Sequence, residues 1–449
     1  MKNRSRFRIA VFAAALVCSA FFALWFEHPL HWDDDGQYDT IGANIAEGRG
    51  FSLKTSAPFE PTMHREPLYP FFLGCIYRLV GRNHAAVRFA QAVLFGLTCL
   101  TVFELALDVF GEKIAKYAAL LTTISPPLAN FPSYILAETL FTFLLCLTAL
   151  LLTKASDTGR IKWFLVSGTC LGLSCLCKSM LILFFVIAAA GLVISGNMRM
   201  VPAKKKMMLF VAFILTFFAV VAPWSYRNYR LFGTPQISLR GGNALWEAGD
   251  RLADAAQNIK HEIAFNFSEY LGDKLFPGTV SRPQDFILRE SNRSHEKELR
   301  LSGEGHSPVE IDRMMAAEGK KMIMAHPFKF LAHMPVEFIK MTAFIYLPEL
   351  NEPRTIAFFN GIKYGVPILS MLRGVLRLSA YPILLFAAIG IFITRYSWRK
   401  WFFIAALIVY VNVVYSMLFA LGRYAVPLIP FYLIFASAGF IGLLDKGSS

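Results

Sequence analysis

The chain is 449 residues long, 55% hydrophobic and only 17% charged, with a mean hydropathy of +0.48, a balance that excludes an ordinary soluble domain of this size. A formal net charge of +14 would point to nucleic acid in a soluble protein. Here the cations collect in alternate short loops between apolar runs, as positive-inside topology requires, and no nucleic-acid partner is needed.

Crossing about 30 Å of hydrocarbon takes roughly 20 mostly apolar residues. Runs of that kind predict about ten spans, at 9–27, 85–109, 114–131, 135–153, 163–178, 180–196, 207–223, 376–394, 401–420 and 424–443. The basic start, with Lys2, Arg4, Arg6 and Arg8, shares its side of the membrane with loops carrying Lys113 and Lys116, Lys154, Arg160 and Lys162, Arg199 and Lys204 to Lys206, and Arg395, Arg399 and Lys400. The expected molecule is an all-α, multi-pass protein in a lipid bilayer, with both termini cytoplasmic. Residues 1–27 also fit a signal peptide, but the apolar run continues through Trp25 and Phe26, which favours a retained helix. Of seven cysteines, all but Cys75 fall in predicted spans, without metal-ligand spacing or a disulfide framework.

Two outer segments are too long to be simple connectors. The first, 28–84 within an N-terminal module of residues 1–223, holds HWDDDGQYDTIGANIAEGRGF and then HREPLYPFFLGCIYRLVG, whose apolar residues predict a short helix at or partly in the membrane. The second, 224–363, is polar through 250–321 and amphipathic from His326 to Tyr346; residues 364–449 return to the membrane. His261, His306, His326 and His333 lack zinc-like spacing and are expected at the surface. Glu104 and Asp108, one turn apart, are expected at the inner interface.

The densest chemical signal is Asp33, Asp34 and Asp35, followed by Tyr38, directly after the first span. Adjacent carboxylates repel one another unless solvated or set beside a cation, and such a cluster can hold a proton acceptor. The triplet alone leaves open which member serves as a base, and a solvated turn is the plain alternative.

With the downstream pattern added, the sequence resembles bacterial GT-C glycosyltransferases related to protein O-mannosyltransferases and lipid A aminoarabinose transferases. The resemblance rests on Asp34-Asp35-Gly36-Gln37-Tyr38; on SYILAETLF at 133–141 with Glu138; on GLSCLCKS ending at Lys178-Ser179; on APWSYRNYRLFGTPQIS at 222–238; and on GRYAVPLIPFY at 422–432. Arg65-Glu66-Pro67 departs from the Glu-Lys-Pro of the aminoarabinose transferases.

The resemblance implies a GT-C fold with outer-face juxtamembrane helices, a polyprenyl-phosphate-linked sugar donor and an acceptor in the cell envelope, at the outer face of a bacterial inner (plasma) membrane. It implies Asp34 as catalytic base with Asp35 second, Glu138 as a supporting acid or divalent-metal ligand, and Tyr38 and Tyr69 in the substrate site. Arg65, Arg227, Arg423 and Lys178 are expected to hold the donor phosphate, because a departing phosphate needs cations more than an acid. One base and direct displacement predict inversion at the anomeric carbon. A transporter or flippase for a lipid-linked or anionic substrate is the alternative. It would spread charges through helix centres, whereas here they collect at one face.

Overall fold

The computed structural model of the chain describes residues 2–25, 30, 34–195, 198, 201–253, 283–342, 361–362, 365–418 and 420–447. Asp33, His261 and the end of the amphipathic stretch, 343–346, lie outside these residues. Every regular element among the described residues is helical.

The chain divides into two compact units. The first comprises Met1–Ile237, Ile383–Val411 and Val426–Ser449. It begins with α1 (Lys2–Trp25), α2 (Asp34–Ala46), α3 (Leu68–Val80), α4 (His84–Phe110), α5 (Glu112–Thr123) and the short α6 (Pro126–Asn130). It continues with α7 (Glu138–Thr158), α8 (Ile161–Cys177), α9 (Phe184–Ile194) and α10 (Ala203–Phe232).

Among the described residues, seven helical stretches are long and apolar enough to cross a membrane: Asn3–Leu24, His84–Phe110, Glu138–Thr158, Ala203–Phe232, Met371–Ile393, Arg395–Met417 and Gly422–Asp445. Shorter apolar helices occupy Leu68–Val80, Ile161–Cys177 and Ser179–Ile194. This is a multi-pass membrane protein.

Proline chemistry explains where the helices depart from the expected spans. The run 114–131 is broken, with α5 ending at Thr123 and Ser125 extended at φ −66°, ψ 114°. Pro126 and Pro127 have no N–H for a continuing helix, and proline pushes its predecessor out of the helical region. Pro223, expected to end its span, is instead carried inside α10, which runs to Phe232 and stops at Gly233 in the left-handed region, φ 71°.

Helix α7 is the centre of the first unit, with 83% of its apolar window buried against 17% for α1. It packs between α4 and α8. Helix α8 meets α10 through Gly168 and Gly172, a GxxxG pair: a Cβ at Gly168 would collide with the Phe213 carbonyl, and one at Gly172 would lie 2.9 Å from Val220 Cβ. A row of ion pairs fastens one end of this unit: Arg4 to Glu112, 2.7 Å; Arg8 to Glu104, 2.6 Å; Lys154 to Asp108, 2.6 Å; and Lys113 to Asp445, 2.6 Å.

The second unit comprises Ser238–Pro382 and Asn412–Ala425. It holds α11 (Gly241–Asp250), α12 (Pro283–Gly303), α13 (Pro308–Ala325), α14 (Pro327–Thr342) and α15 (Gly365–Leu378). Trp246, Leu301, Ile311 and Met315 form a small core, and Gly242 lets α11 approach α13 closely enough for its N–H to reach Asp312 Oδ1 at 2.7 Å. Ser307 and Glu310 close a capping box at the start of α13.

His333 is not the surface residue expected: it is 5% exposed, with Nε2 3.2 Å from Glu337 Oε1. Glu337 is also paired with Arg251 and with Lys340 at 3.1 Å, and accepts from the Ala420 N–H at 2.8 Å. Burial would push its carboxyl up, but Lys340 and Arg251 outweigh that and hold it far below the usual range. His326 is exposed and His306 partly so.

Three further helices complete the chain: α16 (Ala380–Ile393), α17 (Trp398–Met417) and α18 (Ile429–Gly447), the last preceded by a 3-10 turn, Gly422–Leu428. Gly390 and Gly439 face each other across α16 and α18, where a Cβ on either would strike the opposite helix's backbone.

Candidate functional site

Helix α2 opens on Asp34 and Asp35, both in its first turn, where the exposed N–H groups and the helix dipole favour negative charge. Asp34 Oδ1 lies 2.5 Å from an Arg65 terminal nitrogen, with Arg65 4% and Asp34 17% exposed. Asp35 Oδ1 accepts from the Gly36 N–H at 2.8 Å.

Arg65 also donates through Nε to Gln37 Oε1 at 2.7 Å and sits 5.3 Å over the Tyr38 ring. A guanidinium carries five N–H donors, more than these two partners use.

Tyr38 lies one turn beyond Asp34, buried and edge-on to Tyr69 at 5.0 Å. Burial pushes the Tyr38 phenol up to about 12, with Lys178 and Arg65 pulling it down and Glu66 and Asp34 pushing it up. The same four charges therefore surround one ring. The phenol stays neutral near neutral pH and offers a hydrogen bond. Tyr69 is fully buried and donates to Gln91 Oε1 at 2.9 Å, whose amide in turn donates to Pro132 O at 2.9 Å and Tyr134 O at 2.6 Å. That chain of bonds ties the ring pair to α4 and to the turn before α7.

Glu66, next to Arg65, reaches the opposite way and accepts from Ser179 Oγ at 2.8 Å. Lys178 sits at the break after α8, extended at φ −143°, with its ammonium 3.5 Å from Glu138 Oε1. Glu138 begins α7, is 2% exposed, and its Oε2 has no hydrogen-bond partner. Among the described residues no group of three or more His, Cys, Asp or Glu side chains converges as metal ligands would.

The structure thus groups Asp34, Tyr38, Arg65, Tyr69, Lys178 and Glu138. It does not bring Arg227 into that group: Arg227 stacks 4.5 Å over Trp224 and 5.5 Å from Phe51, and donates to Thr62 O at 3.0 Å. Its described contacts hold the loop ahead of Arg65. Arg423 lies in the second unit, 5.5 Å over the Tyr424 ring.

A second polar constellation escaped sequence reasoning. Asp39, fully buried in the middle of α2, accepts from Tyr77 Oη at 2.5 Å and from Arg82 Nε at 2.9 Å, and its Oδ1 lies 2.9 Å from His84 Nε2. Burial alone would raise the Asp39 carboxyl. The hydrogen bonds from Arg82, Tyr77 and His84 together outweigh it and hold the group below the usual carboxylate range. The only sequence signal was a polar residue one turn past Asp35, which any solvated helix face would also show.

Residues 61–224 match the model of a family described as dolichyl-phosphate-mannose-protein mannosyltransferase. The match takes in Arg65, Tyr69, Glu138 and Lys178; Asp34 precedes it. No curated protein matches the sequence. Among solved structures, the oligosaccharyltransferase of Archaeoglobus fulgidus in the apo form is similar at 14% identity and TM-score 0.54, over 98% of this chain and 51% of that one. The same archaeal enzyme, AglB, with an inhibitory peptide and a dolichol-phosphate gives 14% and 0.52, over 99% and 51%. ArnT from Cupriavidus metallidurans bound to undecaprenyl phosphate gives 14% identity and 0.39, over 98% and 78%. The chain therefore spans about half the length of the archaeal structures, 51%. What the likeness shows is the fold.

Proposed function

We propose, taking the GT-C glycosyltransferase fold as premise, that this chain moves a monosaccharide from a polyprenyl-phosphate donor to an envelope acceptor with inversion. The observation that carries the reading is the pairing of Asp34 with buried Arg65 beside Lys178, so that a candidate base and two cations meet around Tyr38, with Glu66 held apart by Ser179. Such a set supplies both halves of a displacement. The acceptor hydroxyl attacks the anomeric carbon and gives its proton to Asp34; the bond from that carbon to the phosphate oxygen breaks, and the phosphate leaves as an anion. Arg65 and Lys178 stabilise the charge that develops on it.

The pairs also suggest an order of events. Asp34 bound to Arg65, and Glu138 beside Lys178, are each neutralised by a neighbour. A donor phosphate competes with Asp34 for the Arg65 guanidinium, and drawing it away leaves Asp34 a stronger base. The base is then most active when a donor is present, which limits idle chemistry. The family match over residues 61–224 supports a lipid-linked donor, and the cationic loops support an active face outside a bacterial inner membrane, with both termini inside. Acceptor choice we assign to the polar segment after α10, on size and position.

Purified membranes given radiolabelled polyprenyl-phosphate monosaccharides test this directly. Label should reach an acceptor with the unmodified chain and fall at least about 10²-fold with Asp34→Asn at matched expression. Undiminished transfer by Asp34→Asn removes the assignment of the base. Absence of transfer from every donor removes the enzyme reading.

A further inference from the structure

Helix α2 carries Asp34 at its first turn, yet the constellation that grips it most fully is centred five residues on. Asp39 is wholly buried, and both its oxygens are engaged by Tyr77 of α3, Arg82 of the connection and His84 at the first turn of α4. Nothing in the displacement chemistry uses this carboxylate. Its net effect is mechanical.

The contact between α2 and α3 is close. A Cβ on Gly42 would lie 2.7 Å from Leu73 Cβ, and one on Gly74 would lie 2.7 Å from Ile45 Cγ2. Small residues of this kind permit close approach, and α2 is held beside them by the Tyr38 ring against Tyr69 and by Asn44, which donates to the Ser52 and Lys54 carbonyls at 2.8 and 2.9 Å. The Asp39 carboxylate, with three donors converging on it from α3, the connection and α4, resists rotation well. Arg78 adds a tie at the far end of α2 through the Ala46 carbonyl at 3.2 Å.

At 3.6 residues per turn, positions five apart lie about 140° apart around the helix. Asp39 therefore faces α3 and α4 while Asp34 faces Arg65. A turn of about 20° would move a carboxylate lying roughly 5 Å from the axis by nearly 2 Å. Misplacement of about 1 Å in a reacting group can cost about 10²-fold in rate.

We propose that Asp39 is a positioning residue: its cradle of Tyr77, Arg82 and His84 fixes the rotation of α2 and so sets Asp34 against Arg65. The inference rests on the reading of Asp34 as the base. It deepens that reading by naming what aims the base.

The test uses full-length protein purified in lipid nanodiscs and a radiolabelled polyprenyl-phosphate hexose that the unmodified chain accepts. Asp39→Asn should lower kcat about 10²-fold with donor KM changed less than about threefold, since Arg65 and Lys178 remain. Arg82→Gln, at a half-exposed position, should lower kcat about tenfold in the same pattern. Asp39→Asn combined with Arg82→Gln places two amides face to face and should recover part of the loss in kcat. Unchanged kcat in both single variants overturns the proposal, as does a loss that tracks only the folded fraction or that shows no recovery in the pair. Asp34→Asn run alongside separates the two readings. If it transfers normally, the base assignment falls and this proposal with it; if it is inactive while Asp39→Asn and Arg82→Gln are normal, this proposal alone falls.

Discussion

Arg65 is the residue on which the site turns, because it is 4% exposed and shared between Asp34, Gln37 and the Tyr38 ring. Its planar fork serves both a carboxylate and a phosphate, which a lysine ammonium does as a point charge. Arg65→Lys should therefore raise the donor KM about tenfold, and Arg65→Gln should lower kcat/KM about 10²- to 10³-fold, read from steady-state transfer. Asp39 supplies a different signature. Its folded-state carboxyl lies below the usual carboxylate range, so the stability it contributes is complete above about pH 4 and is lost as pH falls through the lower folded value. The Tm gap between the unmodified chain and Asp39→Asn should be full at pH 6 and narrow steadily below pH 4; a gap that grows on acidification would refute the sign. At this scale the sequence singled out Asp34, Tyr38 and Arg65 because they stand in short motifs, and the structure sets them in contact. It hid their neighbours because Gln37 meets Arg65 from 28 residues away and Arg82 meets Asp39 from 43. The resemblance also pointed to Arg227, whose guanidinium stacks on Trp224, one turn earlier on α10, and on Phe51 rather than joining the Asp34–Arg65 pair.

Helices were legible as apolar runs, and so was the break at Lys178 between 163–178 and 180–196, whereas the expected span 114–131 ran through the break that Pro126-Pro127 impose. Pro126-Pro127 interrupts a span while Pro223 does not, because α10 continues on Trp224 to Phe232, where Trp224 donates to the Ile237 carbonyl and Asn228 to the Gln236 carbonyl at 2.7 Å. Those bonds fasten the helix end to the chain that follows. The GxxxG pair at Gly168 and Gly172 acquires meaning only from the structure, which supplies its partner α10. Gly168→Val forces a branched side chain against the Phe213 carbonyl, and overpacking of this kind costs about 1–3 kcal/mol. Its Tm in nanodiscs should fall, whereas Gly241→Val, with nothing within 4 Å, should not. In the second unit, α14 presents Glu337 to Arg251, Lys340 and the Ala420 N–H. Removing that one anion leaves buried cations uncompensated, so Glu337→Leu should destabilise by about 3–5 kcal/mol in denaturant titration. Leaving all three partners in place and finding no loss would show the cluster to be dispensable.

Across the whole molecule, thiol chemistry reports both packing and orientation. Cys75 on α3 is exposed and Cys18 is half-buried within the apolar stretch Asn3–Leu24, where a water-borne reagent does not reach, while Cys99, Cys146, Cys170, Cys175 and Cys177 are buried. A membrane-impermeant maleimide applied to intact cells should label one thiol per chain, and Cys75→Ser should abolish the signal. Labelling only after permeabilisation would reverse the proposed orientation. The ion pairs at the opposite end carry a consequence for biogenesis. Arg8 and Arg4 find their partners 96 and 108 residues downstream, and Lys113 waits for Asp445, 332 residues on. At about 5–20 residues per second of synthesis, the first pairs form roughly 5–20 s after α1 emerges and the last on the order of 20–60 s after α5. During that interval the cations stand uncompensated, and in the orientation proposed above they would hold that end of the chain inside; afterwards the same charges become fasteners. Neutralisation of Lys113 alone is deferred until α18 has arrived, so a ribosome stalled before Asp445 holds a bundle in which Arg4 and Arg8 are already paired and the last latch is still open.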